Sequence, residues 1–173
     1  MDTIKWDVFL CLLLGTFYLQ AQEEQPWYAN RPLSWSDFRG PIEETSGASA
    51  ITASGISYSF STYFDSGEMK VDYQVQAFFY PTKSWYRPSL CTDIILAHEQ
   101  LHFDISELFA RKMSREMVQT KFTKNVKAEV KSIYRKTLRD LNDFQNKYDG
   151  QTDFSRNRLE QERWILEIEK ALE

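Results

Sequence analysis

The sequence predicts an α+β fold, with strands in the first half of the chain and helices in the second. Residues 51–80 alternate apolar and polar side chains with a period of two, which is typical of strands. From Pro88 onward, apolar residues recur every three or four positions, which is typical of helices. Strands followed by helices along the chain favour an α+β domain. The chain has 173 residues, 42% of them hydrophobic, and this suits one domain with a packed core.

The first 21 residues are predicted to be a signal peptide, and residues 22–173 a single domain. An uncharged apolar run, VFLCLLLGTFYL, extends from Val8 to Leu19. It is shorter than the roughly 20 residues that span a bilayer, and cleavage after Ala21 fits the pattern. An uncleaved anchor is the alternative. Cleavage predicts a periplasmic or secreted protein with no stable membrane span.

Charge and cysteine content narrow the function classes. The net charge of −4 gives no sign of a nucleic-acid partner. Basic residues between Lys121 and Arg139 are mixed with acidic and apolar ones, as on a solvated helix face. After signal cleavage Cys91 is the only cysteine, so no intramolecular disulfide can form. We expect Cys91 to be a buried small hydrophobic residue.

Two alternating segments predict an antiparallel hairpin. They are Ile51 to Phe60 and Met69 to Tyr80, and Asp65-Ser66-Gly67 marks a turn between them. Ahead of the hairpin, Leu33 to Pro41 (LSWSDFRGP) is predicted to form a compact turn. The residues expected on one face of the hairpin are Ile56, Tyr58 and Phe60 in the first strand, and Val71, Tyr73, Val75 and Ala77 in the second.

Three helices are predicted after the hairpin. The first runs from about Leu90 to about Val118. The second carries an apolar stripe from Val126 to Tyr148 and is predicted to stop at Asp149-Gly150, because glycine commonly follows a helix end. The third runs from Arg156 to Leu172.

The first helix contains a pattern that points to metal chemistry. In AHEQLHFDI, the only two histidines of the chain, His98 and His102, lie four residues apart. This spacing puts both rings on one helix face, where two ring nitrogens can bind one Zn²⁺. Glu99 points about 100° away, so it can act as a base on a zinc-activated water rather than as a ligand. An ordinary amphipathic helix with two imidazoles is the alternative.

A catalytic zinc site usually has three protein ligands, and the third is not evident from spacing. No other histidine exists, so a carboxylate is expected to complete the site. The pattern alone leaves several candidates open. They are Glu129, Asp149, Asp153, Glu160 and Glu162.

Four segments resemble a bacterial family known as domain of unknown function 922 (DUF922), which is grouped with zincin-like metallopeptidases. LSWSDFRG (Leu33–Gly40) is similar to the family's L-x-W-x-D-F-x-G, and Ser84-Trp85 to its S-W pair. AHEQLHFDISELFAR (Ala97–Arg111) resembles its H-E-Q-x-H-F-D-I helix. YDGQTDFSRNRLEQERW (Tyr148–Trp164) resembles its C-terminal Y-D-x-x-T-x-H-[GS] segment with a later Q and W.

The resemblance implies a zinc site with His98 and His102 as ligands and Glu99 as catalytic base. It also shows a departure, because Phe154 stands where the family pattern commonly has histidine. If that histidine is the family's third ligand, a carboxylate must replace it, and Asp149 is the first choice because it belongs to the matched motif. Tyr148 is either a packed core residue or a donor to a substrate carbonyl.

The leading expectation is an exported zinc-dependent metallopeptidase acting on a peptide or protein substrate. A catalytically impaired zincin-fold binding or scaffold protein of the cell envelope is the first alternative, and Phe154 is the residue that favours it. A purely structural envelope protein with two exposed histidines is the second alternative.

Overall fold

The predicted hairpin forms the largest sheet. The computed structural model describes residues 23–173, and in it β3 (Ser54–Asp65) pairs antiparallel with β4 (Glu68–Phe79). A short strand, β1 (Gln25–Pro26), pairs with the other edge of β4. Ser66 and Gly67 form the turn with φ of 52° and 82°, which matches a two-residue turn with both residues left-handed.

The buried face of the hairpin is the predicted one. Ile56 pairs with Ala77, Tyr58 with Val75, and Phe60 with Tyr73. These side chains lie in or against the core, whereas the intervening residues of β4, such as Gln74, are exposed. The period of two therefore identified which side of the hairpin meets the helices.

A second sheet is much smaller. β2 (Ala50–Ile51) pairs antiparallel with β5 (Trp85–Tyr86). β5 lies just after the hairpin and β2 just before it, so this pairing closes the base of the hairpin next to the first helix.

Three helices follow, as predicted. They are α1 (Asp93–Gln119), α2 (Val126–Thr152) and α3 (Arg158–Leu172). α1 packs against β3 and β4 on one side and against both other helices on the other, so it is the central element of the fold. Antiparallel sheets from the N-terminal half followed by three helices confirm the α+β class.

The prediction that α2 stops at Asp149-Gly150 is wrong, because α2 continues to Thr152. Thr152 is fully buried, and its hydroxyl donates to the Tyr148 carbonyl at 2.8 Å, so packing extends the helix through an exposed glycine. Asp153, in the left-handed conformation, ends the helix instead.

The signal-peptide prediction for residues 1–21 lies outside the described residues. Within residues 23–173, no helix is long and apolar enough to cross a bilayer.

Candidate metal centre

The two histidines lie on the first turns of α1, where the helix is held at its start. The Thr92 hydroxyl caps α1 by accepting from the Ile95 N–H at 3.5 Å. His98 is buried and His102 half-buried, and their Nε2 atoms lie 3.3 Å apart. The rings therefore converge rather than splay, as the four-residue spacing predicts.

Asp149 completes a compact group with the two imidazoles. Its Oδ1 lies 3.1 Å from His98 Nε2 and 2.9 Å from His102 Nε2. These three atoms form a triangle whose sides are close to the separation of about 3.3 Å expected between ligands around a tetrahedral zinc. The His98–His102–Asp149 group can hold a metal ion.

The electrostatics of Asp149 suit a cation-binding role. Burial favours the neutral acid, but the contacts with the His102 and His98 rings hold the pKa of the Asp149 carboxyl well below its usual range. The group therefore presents an ionised carboxylate to the two rings. A divalent cation at the centre of the triangle would satisfy all three atoms at once.

Glu99 lies beside this group but outside it. The residue is 6% exposed and lines the same cleft as His98, His102 and Asp149. The Thr52 hydroxyl donates to its backbone carbonyl at 3.1 Å, which fixes this turn of α1 to the neighbouring chain segment. Glu99 is not a member of the metal-binding group.

The other carboxylates considered from the sequence lie away from the imidazoles. Asp153 is exposed and pairs with Arg156, and Glu160 pairs with Arg163. Glu129 accepts from the Thr123 N–H at 2.9 Å near the start of α2. Glu162 is exposed on α3. Among residues 23–173, the metal-binding group contains Asp149 and none of these four.

A cleft of about 510 Å³ opens over the group. One wall is the segment 47–52, and the other is formed by the end of α2 and the turn after it, with Phe154, Ser155 and Arg156. Asp153, Phe154 and Ser155 all have positive φ, between 46° and 72°. Three successive left-handed residues without glycine are strained, and such strain is often found at functional sites.

Phe154, which stands where the family pattern commonly has histidine, lies in this turn at the edge of the cleft. It is 59% exposed and lines the cleft, but it does not contribute to the metal-binding group. The group reaches three members through Asp149, without a histidine at position 154.

The wall at 47–52 is held in place by Ser84 and Trp85. Ile51 pairs with Trp85, and the Ser84 hydroxyl accepts from the Ala53 N–H at 2.9 Å. Gly40 in turn lies so close to the segment 82–84 that a Cβ atom would be 2.8 Å from the Ser84 carbonyl oxygen. Ser84 and Trp85 thus support the cleft wall, and the segment Leu33–Gly40 packs behind them; neither segment lines the cleft.

Cys91 differs from its predicted burial. It is half-buried, and its Sγ contacts the Ser49 carbonyl oxygen at 3.3 Å. It lies against the backbone of Ser49, which lines the cleft. Burial raises the pKa of its thiol, which keeps it protonated.

A second layer of contacts surrounds His98. Its Nδ1 lies 3.0 Å from Oε1 of Gln161, a buried residue of α3. Tyr148 stacks on the His98 ring at 4.6 Å and 22°, and its hydroxyl donates to the same Oε1 at 2.9 Å. Burial raises the pKa of Tyr148 far above its usual range, although the hydrogen bond to Gln161 acts the other way. Tyr148 is thus a packed residue that supports a ligand.

Residues 81–156 match the family model described as "Bacterial protein of unknown function (DUF922)". The match supports the resemblance to the DUF922 family that the sequence motifs indicate. It covers β5, α1, α2 and the left-handed turn, so it includes every member of the metal-binding group. No curated protein and no solved structure matched the chain.

The DUF922 match gives no information about activity, since the family's function is unknown. The sequence pointed to the two histidines and, among five carboxylates, to Asp149, and the metal-binding group contains these three residues. Glu99 lines the cleft, and its role as a base stays a prediction. Sequence reasoning missed Gln161 and the segment 47–52 as parts of the site. Residues 47–52 are mostly small and carry no charge, so no residue type in them signals a cleft wall.

Proposed function

We propose that this protein is a zinc-dependent hydrolase of peptide or related acyl bonds. The observation that carries the proposal is the convergence of His98, His102 and Asp149 in a cleft that Glu99 also lines. Two imidazoles and a carboxylate are a ligand set typical of catalytic zinc, which keeps one position open for water or substrate.

Zinc bound there would polarise a substrate carbonyl and lower the pKa of a water molecule to about 7. The residues of the chain supply the rest. His98, His102 and Asp149 would hold the cation, and Glu99 would accept a proton from water and pass it to the leaving group. The segment 47–52 and the turn at Phe154 bound the space in which a substrate would lie.

Export and substrate class form part of the same proposal. The apolar N-terminal run supports a signal peptide cleaved after Ala21 and a periplasmic or secreted location. The cleft is open and has an extended wall at residues 47–52, which supports a peptide or protein segment as substrate rather than a nucleic acid. The net charge of −4 agrees with that choice.

The test compares the wild type with Glu99→Gln, both loaded with zinc, on a fluorescence-quenched peptide library and on dye-labelled casein. We expect Glu99→Gln to keep its zinc and to lose hydrolysis by about 100- to 10,000-fold, since only the proton acceptor is removed. Glu107→Gln is the matched control, because Glu107 pairs with Arg111 on another face of the same helix. Equal hydrolysis by wild type and Glu99→Gln would reject the enzymatic proposal.

A binding or scaffold role in the cell envelope is the second candidate. Phe154, which stands in place of the histidine common in the family pattern, favours it: the side chain is exposed in the cleft, where it can contact a partner but cannot donate a proton. Wild-type protein that binds zinc but hydrolyses neither probe would support this candidate over the enzyme.

A further inference from the structure

Gln161 is a buried polar residue whose side-chain hydrogen bonds go to His98 and to Tyr148, the residue that stacks on His98. It is 3% exposed on α3. Its Oε1 accepts from His98 Nδ1 at 3.0 Å and from the Tyr148 hydroxyl at 2.9 Å. A carbonyl oxygen has no hydrogen to give, so the contact with His98 requires the proton on Nδ1.

A proton on Nδ1 decides what the other ring nitrogen can do. It leaves the lone pair of His98 on Nε2, the atom that lies 3.3 Å from His102 Nε2 and 3.1 Å from Asp149 Oδ1. Tyr148 covers one face of the ring and restricts its rotation. Metal-binding histidines are commonly oriented in this way by an acceptor on their second nitrogen.

The buried glutamine carries an energetic disadvantage. Its Nε2 is buried and has no hydrogen-bond partner among the described residues. Burying such an amide without a partner costs about 1–3 kcal/mol, which a methionine of similar shape would avoid. A glutamate would also accept both hydrogen bonds, but it would add a second buried negative charge near Asp149. Glutamine is the residue that offers a neutral acceptor.

We propose that Gln161 is a positioning residue that holds the proton of His98 on Nδ1 and thereby aims Nε2 at the cation. The inference rests on the proposed metal site and adds a residue from α3, an element outside the DUF922 match. This role gives α3 a part in the site: the helix contributes no metal ligand, but its Gln161 side chain contacts the ligand His98.

The test measures zinc affinity by chelator competition and the visible absorption of the Co²⁺-loaded protein. The variants are Gln161→Met, which removes the oxygen that accepts both hydrogen bonds, and Gln161→Glu, which keeps such an oxygen. Gln25→Met is the matched control, because Gln25 is also buried with an unpartnered Nε2 but lies in β1, away from the cleft lining.

We expect Gln161→Met to weaken zinc binding by about 10- to 100-fold and to alter the Co²⁺ spectrum. Gln161→Glu should bind zinc as tightly as the wild type or more so, and Gln25→Met should leave both readouts unchanged. In the zinc-loaded wild type, the His98 Nδ1 proton should be slow to exchange and visible by NMR. It should be lost in Gln161→Met.

The outcomes separate the two proposals. If the wild type binds neither Zn²⁺ nor Co²⁺, the metal site and this inference both fail. If the wild type binds zinc and Gln161→Met binds it equally well, with an unchanged spectrum, the inference fails alone. Should Gln161→Met not fold, Gln161→Glu decides: wild-type affinity supports the role of the acceptor, and a loss of tenfold or more overturns it.

Discussion

Helix α1 carries two polar pairs with the same spacing, and they behave in opposite ways. His98 and His102 face the cleft, whereas Gln100 and Asp104 lie about 200° around the helix from them. Gln100 donates to Asp104 Oδ1 at 2.8 Å, and that same oxygen accepts from the Trp27 indole at 2.7 Å. The two pairs differ in whether hydrogen bonds within the protein satisfy their polar atoms.

The Gln100–Asp104 pair is satisfied by the protein itself. The Gln100 amide donates to Asp104, and the Gln100 Oε1 atom in turn accepts from the Leu33 N–H at 2.6 Å. Asp104 thus anchors the N-terminal segment rather than orienting a ligand imidazole. At the histidine pair, His98 Nε2, His102 Nε2 and Asp149 Oδ1 lie within 3.3 Å of one another. One cation can bind all three atoms at once, and this difference separates the Gln100–Asp104 pair from the histidine pair of the same helix.

The largest effect is expected for His102→Ala. Removing one of three ligands should weaken zinc binding by more than about 100-fold, since loss of residues outside the ligand set already costs 10- to 100-fold. Gln100→Ala is the control on the other side of α1 and should leave zinc affinity unchanged. Equal zinc occupancy in His102→Ala and wild type, measured by elemental analysis, would contradict the difference between the two pairs.

Asp149→Asn should come next. Asparagine keeps the shape and one oxygen but removes the negative charge, so we expect zinc affinity to fall by about 100-fold. Asp153→Asn is the matched control, because Asp153 lies four residues on and pairs with exposed Arg156. Calorimetric titration with zinc checks both, and a larger loss in Asp153→Asn would place the third ligand elsewhere.

Asp104→Ala should affect folding and spare the metal. It leaves the Trp27 indole and the Gln100 amide without their acceptor, so the free energy of unfolding should fall by about 1–3 kcal/mol. Urea unfolding of the metal-free protein measures this loss. A parallel loss of zinc affinity would show that the two sides of α1 are coupled.

The smallest effect concerns pH. Burial raises the pKa of Asp104, with the hydrogen bonds from Trp27 and Gln100 acting the other way. The folded protein therefore holds this proton more tightly than the unfolded chain, so the contribution to stability is greatest below the ordinary value of about 3.9 and declines as pH rises through the folded pKa. Asp104→Asn should remove that decline, whereas Asp72→Asn, at an exposed position of β4, should keep it. Identical pH profiles of urea unfolding for wild type and Asp104→Asn would refute the shift.

Local pattern was enough for much of the fold. The alternation from Val71 to Ala77 gave the buried face of β4, and the spacing of His98 and His102 gave convergent rings, because both depend only on the geometry of a single strand or helix. The end of α2 was missed, because buried Thr152 outweighs the local preference of Gly150. Helix ends are set by packing when the terminal residues reach the core.

The sequence by itself determined the order of strands and helices, the paired imidazoles and the acid beside them, since these follow from residue type and helical or strand period. The tertiary structure decided which carboxylate meets the imidazoles, which residue holds the second nitrogen of His98, and which segment walls the cleft. Asp149 and Gln161 lie 51 and 63 residues from His98. Contacts over such distances depend on how α1, α2 and α3 pack together, and no local pattern specifies that.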